Sequence, residues 1–309
     1  MIKNFISNIY HNTRIGFAII QPFKNVYEYI RYATVSDKSF IKKEFKKNLG
    51  YPPDLENPKT FNEKLQWLKL NDRTPLHTIC ADKFKVRDYV KEKIGEEYLI
   101  PLVFQTKHPR DIIPENLPDF PVIIKTNHDS SGGIIVRDKT KVNWIATQNT
   151  LAKFLNINYY YRYKEWQYKN IDRCIVVEKL LMDKTGAIPF DYKMHYFNGK
   201  LAFTQVDIDR QTNHKRNLYD AHWNLMHVTW IYDTGEEIQK PKHYDRMIKL
   251  GEIFAKDFCY LRVDFYHVND KIYFGELTFH AESGCGTFTP EHYDLDLGNK
   301  LQLHKTKES

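Results

Sequence analysis

Hydrophobic positions follow a helical period in several parts of the chain, and capping residues mark where helices begin and end. Thr60 and Glu63 have the spacing of a capping box and precede Leu65 and Leu68, so a helix is predicted to start directly after Thr60. Gly95 ends a second apolar pattern of the same period. Further helices are therefore predicted at about 79–94, 143–168 and 243–257.

Between these helices, short runs of apolar residues bounded by turn residues predict strands. Phe-Asn-Gly-Lys at 197–200 and Val-Asn-Asp-Lys at 268–271 have the turn residues of two β-hairpins. The mixture of helices and hairpins predicts an α+β fold. The predicted strands cover 98–104, 120–125, 173–180, 191–197, 200–207, 259–267 and 271–278.

Length and composition narrow the class of protein. The chain has 309 residues, of which 42% are hydrophobic and 15% aromatic, which suggests about two domains and excludes a disordered chain. No apolar run approaches the roughly 20 residues that span a bilayer, and we expect no secretory signal. The four cysteines lack paired spacing, so we expect neither disulfides nor a zinc site, and a cytoplasmic location.

The positive charge is concentrated at one end. Residues 1–50 hold nine Lys and Arg against three acids, which accounts for +6 of the net charge of +7. Aromatic residues lie between these cations, and three interpretations are open: packing against the rest of the protein, docking on the inner face of a membrane through residues 1–48, or nucleic-acid binding. We expect no nucleic-acid partner.

The segment 122–136 carries the first candidate chemistry. Two apolar runs flank a loop of small polar residues, and a lysine ends the first run. Glycines let backbone N–H groups approach an anion, serines add donors and the lysine adds a charge, so the segment predicts a phosphate-binding loop. An ordinary hairpin loop is the alternative. The candidate residues are Lys125, Ser130, Ser131, Gly132 and Gly133.

The second candidate is the predicted hairpin at 259–278. Glu276 and Thr278 project to the same side of their strand, and a suitable register would bring Asp264 beside them. Carboxylates among apolar residues are costly unless they are paired or bind a metal. Oxygen ligands of this type suit Mg²⁺, so the hairpin predicts a magnesium site.

Two charged segments between these candidates could contact the same ligands. Asp191 and Lys193 could reach a ribose and a phosphate, the alternative being a plain strand with alternating polar residues. The stretch 209–216 could grip a substrate carboxylate or a γ-phosphate, the alternative being a solvated loop. Its cations are Arg210, Lys215 and Arg216.

Several dispersed segments resemble the ATP-grasp superfamily and, more narrowly, its TupA-like members, which are associated with polysaccharide biosynthesis. The resemblance covers about residues 55–295. The segments that carry it are F-N-E-K-L-Q-W-L-K at 61–69, A-D-K-F-K-V-R at 81–87, Y-Y-Y-R-Y-K-E-W-Q-Y-K at 159–169, D-R-Q-T-N-H-K-R at 209–216 and R-V-D-F-Y at 262–266.

The resemblance implies roles for individual residues. Lys83 and Lys125 would contact nucleotide phosphate, and the segment 176–181 would form the hinge whose backbone contacts adenine. Asp264, Glu276 and Thr278 would hold Mg²⁺, with Thr278 standing where ATP-grasp enzymes commonly have asparagine. Arg262 would stabilise an oxyanion. The hinge residues assigned to the nucleotide are Glu178, Lys179 and Leu181.

Together these features predict an ATP-grasp fold in which two α+β lobes clamp ATP, with a helical basic N-terminal extension. The predicted ranges are an extension at 1–50, a reduced N-terminal lobe at 51–118, a small lobe at 119–172 and a C-terminal lobe at 173–309. The implied function is an ATP- and Mg²⁺-dependent carboxylate–amine ligase that joins an amino acid or amine to a uronic acid of a cell-surface polysaccharide or its precursor. A glycosyltransferase, a nucleotide-binding module and an ATP-grasp kinase are the alternatives.

Overall fold

The computed structural model describes residue 10 and residues 13–130, 132–210 and 212–304. Within these ranges, α-helices occupy Arg14–Ala33 (α1), Asp37–Leu49 (α2), Phe61–Asn71 (α3), Pro75–Ala81 (α4), Val86–Ile94 (α5), Trp144–Asn156 (α6), Tyr159–Tyr163 (α7), Tyr244–Ala255 (α8) and His292–Lys300 (α9). Strands occupy Leu102–Thr106 (β1), Val122–Thr126 (β2), Ile134–Val136 (β3), Ile175–Lys179 (β4), Asp191–Phe197 (β5), Lys200–Ile208 (β6), Lys215–Tyr219 (β7), Thr229–Trp230 (β8), Tyr260–Val268 (β9), Lys271–Thr278 (β10) and Phe288–Thr289 (β11).

The strands form two main antiparallel sheets. The smaller has the order β1-β4-β2-β3, and its apolar face packs on α6 around Ile124, Leu151 and Val177. The larger has the order β10-β9-β5-β6-β7 and packs on α8 around Met194 and Phe254. Strands β8 and β11 form a separate pair. Each sheet thus buries one face against helices and leaves the other free to contribute to a site.

The hairpins of the larger sheet confirm the strand pattern in the sequence. Strands β5 and β10 have the predicted bounds, β6 ends one residue later than predicted, and β9 begins and ends one residue later. Asn198 and Gly199 have φ values of 49° and 83°, as a tight two-residue hairpin turn requires. The turn at Asn269 and Asp270 also has positive φ at both positions.

The range 79–94 is not one continuous helix as predicted, because the chain breaks at Asp82; a helix does end at Ile94 as predicted. The carboxylate of Asp82 accepts hydrogen bonds from the backbone N–H groups of Phe84, at 2.9 Å, and Lys85, at 3.2 Å. A side chain that satisfies the next backbone donors replaces helical hydrogen bonds and ends a helix. The break separates α4 from α5 and leaves Lys83 in the turn between them.

The first predicted strand starts late, and strands β7, β8 and β11 were not predicted. Residues 96–98 form a 3₁₀ turn, and Pro101 has no N–H to donate, so β1 begins at Leu102 instead of at residue 98. Strand β7 lies where the sequence predicted a charged stretch after a strand. The smaller sheet takes strands from three of the predicted ranges, 51–118, 119–172 and 173–309, so those boundaries do not follow the sheets.

The basic N-terminal segment packs on the body of the protein through α2. Ile41 and Phe45 are buried. The ammonium group of Lys164 donates to the carbonyl oxygen of Tyr32 in the last turn of α1, at 2.9 Å, and to that of Val35 in the connection to α2, at 2.8 Å. The side chain of Lys164 is only 2% exposed, so this cation is a buried anchor for both helices.

Helix α1 is different, because most of its apolar side chains are exposed. Ile15 and Phe23 are 75% and 74% exposed, and the exposed residues recur three or four positions apart along one face. None of the described helices is long and apolar enough to cross a membrane. The exposed apolar face consists of Ile15, Ile19, Phe23, Val26, Tyr27 and Ile30.

We predict that Lys164→Met loosens the N-terminal helices. The change leaves two carbonyl oxygens without their donor, and each unsatisfied buried polar group costs about 1–3 kcal/mol. The free energy of unfolding should therefore fall by about 2 kcal/mol, and limited proteolysis should cut between α1 and α2 faster. The exposed Lys169 provides the matched control, and Lys169→Met should leave both measurements unchanged. Equal behaviour of the two variants would contradict the anchoring role.

Candidate functional site

A cavity of about 550 Å³ receives side chains from both main sheets and from the turn at Lys83. It collects most of the candidate residues from distant parts of the sequence. Ser131 lies outside the described residues. The predicted site residues that line the cavity are Lys83, Lys125, Ser130, Gly132, Gly133, Asp191, Lys193, Arg210, Arg216, Arg262, Asp264, Glu276 and Thr278.

The loop after β2 lies close to the strand that precedes it. Gly132 and Gly133 both have a φ of 82°, a conformation that other residues rarely adopt. A Cβ atom on Gly133 would lie 2.6 Å from Cγ of Lys125, so only glycine fits there. The ammonium group of Lys83 donates to the backbone carbonyl of Asp129 in the same loop. The paired glycines therefore bring the loop backbone and two lysines to one wall of the cavity.

Lys125 is paired with a carboxylate from the next strand. Its ammonium nitrogen lies 2.6 Å from Oε2 of Glu178, whose other oxygen accepts from Arg87 at 3.0 Å. Glu178 therefore neutralises the charge of Lys125, although Glu178 itself does not line the cavity. An anion that enters beside Lys125 must compete with this carboxylate.

The predicted hinge does not line the cavity. In β4 the backbone of Val176 and Val177 pairs with β1 on one side and β2 on the other. Lys179 and Leu180 donate their N–H groups to Pro101 and Pro121, each at 3.0 Å. A central strand has few free backbone groups, so contact of Glu178, Lys179 and Leu181 with adenine stays a prediction.

The β9–β10 hairpin brings the predicted metal ligands together. A bulge at Gly275 shifts the register so that Glu276 lies opposite Asp264 and Thr278 lies opposite Arg262. Arg262 donates to both oxygens of Asp264, at 2.7 and 2.8 Å, and its Nη2 atom also lies 2.6 Å from Glu276. The hydroxyl of Thr278 donates to Glu276 at 3.2 Å.

Burial and the nearby charges move the two carboxyl pKa values apart. Burial, together with the charges of Asp191 and Glu276, raises the pKa of Asp264 to about 7 even though Arg262 opposes the rise. Burial also disfavours ionised Glu276, but the cations around it, with Lys83 first, outweigh that cost and lower its pKa to about 2. The carboxyl group of Glu276 is therefore ionised at neutral pH, whereas that of Asp264 loses its proton less readily.

A second charge network crosses β5, β6 and β7. Lys193 contacts Asp191 and lies 3.2 Å from Asp207, and Arg216 lies 2.7 Å from Asp207 and 2.8 Å from Glu282. Burial opposes the ionisation of Asp207, but Lys193 and Arg216 outweigh it and hold its pKa well below the usual range. Oδ1 of Asp191 is buried without a hydrogen-bond partner among the described residues.

The three predicted substrate cations occupy different positions. Arg216 is buried, whereas Arg210 is half exposed at the rim, 3.6 Å from Asp191. Lys215 does not line the cavity and pairs with Asp233 at 3.2 Å, so its contact with a substrate stays a prediction. Neighbours in a strand point to opposite faces, and β7 directs Arg216 inward and Lys215 outward.

Several residues that line the cavity were not among the site residues predicted from the sequence. Asp207 and Asp209 form a short D-x-D pattern, which is too common to predict a site, but Asp207 is the last of five consecutive buried residues of β6. Glu282 and Ser283 form a turn with left-handed φ values of 49° and 53°. No pattern in the sequence marks such a turn, because neither residue is a glycine.

The donor set fits a nucleotide with a divalent cation. Asp264, Glu276 and Thr278 offer the hard oxygen atoms that Mg²⁺ prefers, and the unpartnered oxygen of Asp191 adds an acceptor nearby. The ammonium groups of Lys83, Lys125 and Lys193 line the same cavity and suit phosphate.

Solved structures with a similar shape include two D-alanine–D-alanine ligases. The one from Bacillus anthracis is 18% identical over 65% of this chain and 57% of its own, with a TM-score of 0.38. The one from Helicobacter pylori is 11% identical over 81% and 68%, with a TM-score of 0.43. The chain spans 57–62% of the length of the Bacillus anthracis ligase in its two structures.

A third similar structure is the ATP-grasp ligase PsnB, solved with a phosphomimetic variant of its minimal precursor, Mg and ADP. It is 9% identical over 70% of this chain and 57% of its own, with a TM-score of 0.40. No curated protein matches the sequence.

The family model described as TupA-like ATPgrasp matches residues 63–302, which is most of the chain. This match confirms the resemblance seen in the dispersed sequence segments. It also confirms the ATP-grasp fold, to which the helices and antiparallel sheets of the structure conform. The chain therefore belongs to the TupA-like ATP-grasp family.

Proposed function

We propose that the protein is an ATP- and Mg²⁺-dependent carboxylate–amine ligase that forms an amide on a uronic-acid-containing glycan or its precursor. The observation that carries this proposal is that three lysines and the carboxylates of the β9–β10 hairpin line the same cavity. Membership of an ATP-grasp family supports the use of ATP. The glycan and the amine follow from the resemblance to polysaccharide-associated family members.

The chemical problem in such a reaction is to bring two anions together. Transfer of the γ-phosphoryl group to a substrate carboxylate would give an acyl phosphate; attack by an amine would then form the C–N bond and release phosphate. Lys83, Lys125 and Lys193 lie where they can neutralise the phosphate groups. Bound Mg²⁺ would add charge neutralisation at the oxygen atoms of Asp264, Glu276 and Thr278.

The arginines of the cavity have separate roles in this proposal. Nε and Nη2 of Arg262 are occupied by carboxylates, so its first role is to hold Asp264 and Glu276 in position. Arg216 is held by Asp207 and Glu282, on the part of the cavity wall that we assign to the substrate. Arg210 is the most exposed of the three and is suited to meet an entering carboxylate.

The alternatives differ from a ligase in what they require for turnover. A nucleotide-binding module or a glycosyltransferase would not release ADP in response to a carboxylate and an amine. An ATP-grasp kinase would release ADP with the carboxylate alone. Measurement of ADP release with each substrate omitted in turn separates all three from the ligase.

A membrane contact through α1 is the second part of the proposal. Its exposed apolar face has aromatic and aliphatic residues, and Lys24 lies on the same exposed helix. Helix α2 adds the exposed Lys42, Lys43 and Lys46. Apolar residues beside lysines complement the acyl and anionic headgroup regions of a bilayer, so the partner we propose is an anionic lipid surface.

The first prediction from the proposed function concerns Lys125, just before the glycine loop. Lys125→Ala removes a phosphate contact but leaves Glu178 paired with Arg87, so the fold should persist. A ligand at 100 times its Kd stabilises a protein by about 2.7 kcal/mol, and the variant should lose most of this gain at the same Mg-ATP concentration. Thermal denaturation with and without nucleotide measures it. Lys107→Ala, at an exposed lysine paired with Asp172, is the control; a full shift in Lys125→Ala would contradict the phosphate assignment.

The second prediction concerns the metal ligands. Glu276→Gln keeps the shape of the side chain but removes a firm anion, so ADP release should fall by about 10²-fold. The fold should remain, because Arg262 retains both bonds to Asp264. Glu252→Gln, on α8 and paired with Lys200, should have normal activity. Chelation of divalent cations should stop the wild-type reaction, and full activity of Glu276→Gln would refute this metal site.

The third prediction concerns α1. The double variant Ile19→Ser with Phe23→Ser should no longer cosediment with vesicles that contain anionic phosphatidylglycerol, while the wild-type protein should bind them at low salt. High salt should weaken the binding, because the Debye length is only about 8 Å at physiological ionic strength. Ile188→Ser with Phe190→Ser removes two exposed apolar residues of a loop and serves as control. If the wild-type protein does not cosediment with the vesicles, this contact is ruled out.

A further inference from the structure

A second cavity, of about 590 Å³, lies between the N-terminal helices and the body of the protein. Its volume lies in the range of sites for small molecules. Tyr163, Glu282 and Ser283 line this cavity and also the candidate nucleotide cavity, so the two meet at these residues. The N-terminal helices contribute Arg31, Tyr32, Phe40 and Lys47 to its walls.

The charge of the second cavity favours an anion. Four of its lining residues are cationic, and two are carboxylates. Lys69 is buried at the inner end and donates to the hydroxyl and carbonyl oxygens of Ser283, at 2.6 and 2.7 Å. Arg31 and Lys47 are exposed and lie toward solvent. The cations thus extend from the outside to the junction with the first cavity.

Aromatic rings lie beside these cations. Tyr32 and Phe40 contact each other edge to face with centroids 6.4 Å apart, and the guanidinium of Arg31 lies 5.0 Å from the ring of Tyr32. Tyr163 adds a third ring at the junction. Flat apolar rings suit the C–H faces of sugars, and guanidinium and ammonium groups suit carboxylates. The two together are suited to an acidic sugar chain.

The turn at the junction has a fixed shape. Glu282 holds Arg216 at 2.8 Å, and the hydroxyl of Ser283 donates to Glu165 at 2.9 Å. Their left-handed backbone persists because these contacts and those of Lys69 hold the turn in place. A chain lying in the second cavity would therefore pass a rigid turn before it reached Arg216.

We propose that the second cavity binds an anionic glycan and presents one of its uronic-acid carboxylates, past Glu282 and Ser283, to the candidate nucleotide cavity. The inference rests on the proposed ligase function for the use of that carboxylate. The second cavity only binds the glycan, and no covalent bond forms or breaks there.

The test measures binding without turnover. Tetramers of glucuronic acid and of galacturonic acid are titrated into the full chain by calorimetry, and a neutral tetramer of glucose serves as the uncharged probe. The double variant Arg31→Ala with Lys47→Ala removes two cations that line the cavity. Its control, Lys43→Ala with Lys46→Ala, removes the same charge from exposed positions of α2 that do not line it.

We expect at least one uronic-acid tetramer to bind, and the neutral tetramer not to bind. The cavity variant should bind it about tenfold or more weakly, because it lacks two charged hydrogen-bond donors to the carboxylates. The control should change the affinity by less than about twofold, because Lys43 and Lys46 do not line the cavity and can act on a bound glycan only through screened, long-range charge. Mg-ATP should stabilise both variants as it does the wild-type protein.

Three results would overturn the proposal: no binding of either acidic tetramer, binding of the neutral tetramer as tight as that of the acidic ones, or equal losses of affinity in the two variants. Failure of the ligase function would look different. The tetramer would then bind with the predicted variant pattern, but ADP release would not depend on it.

Discussion

The bridge from Arg262 to Asp264 and Glu276 is the interaction on which the site depends. Buried carboxylates repel each other and lose hydration, so a cation must hold them together before any ligand arrives. The bulge at Gly275 makes this geometry possible, because without it Glu276 would not lie opposite Asp264. The same principle extends across the larger sheet, where Lys193 and Arg216 bind the acids of β5 and β6. The cavity is thus lined by charges that are already balanced, and an entering nucleotide exchanges these partners for its own.

Local patterns in the sequence predicted the parts of the fold that depend on local rules. Alternation and turn residues gave the hairpins that contain Asp264 and Glu276, and the convergence of the two carboxylates followed from the hairpin register. Where the outcome depends on distant partners, the sequence was not sufficient. Glu178 looked like a hinge residue, but its place in a central strand is fixed by β1 and β2. Lys215 and Arg216 looked equivalent until β7 placed them on opposite faces.

The N-terminal segment shows why composition alone left its interpretation open. Packing against the body holds for α2, where Phe45 is buried, and for the connection that Lys164 binds. It does not hold for the exposed apolar face of α1. The same basic, aromatic segment thus contains α2, whose apolar face is buried, and α1, whose apolar face is exposed. Its mean charge and aromatic content cannot distinguish the two, because burial depends on contacts with other parts of the chain, such as Tyr51 against Phe45 and Lys164 against Tyr32.

The anchor at Lys164 also bears on how the protein is made. Its contact with Tyr32 closes a loop of 132 residues, so α1 and α2 leave the ribosome long before their partner does. Chains grow from the N-terminus, and a contact of high sequence separation forms late in folding. During that interval the apolar residues of α1 have no protein surface to cover them, and a chaperone or a nearby bilayer can reach them first. The order of synthesis therefore gives the uncovered helix an opportunity to find an outside partner before the rest of the fold exists.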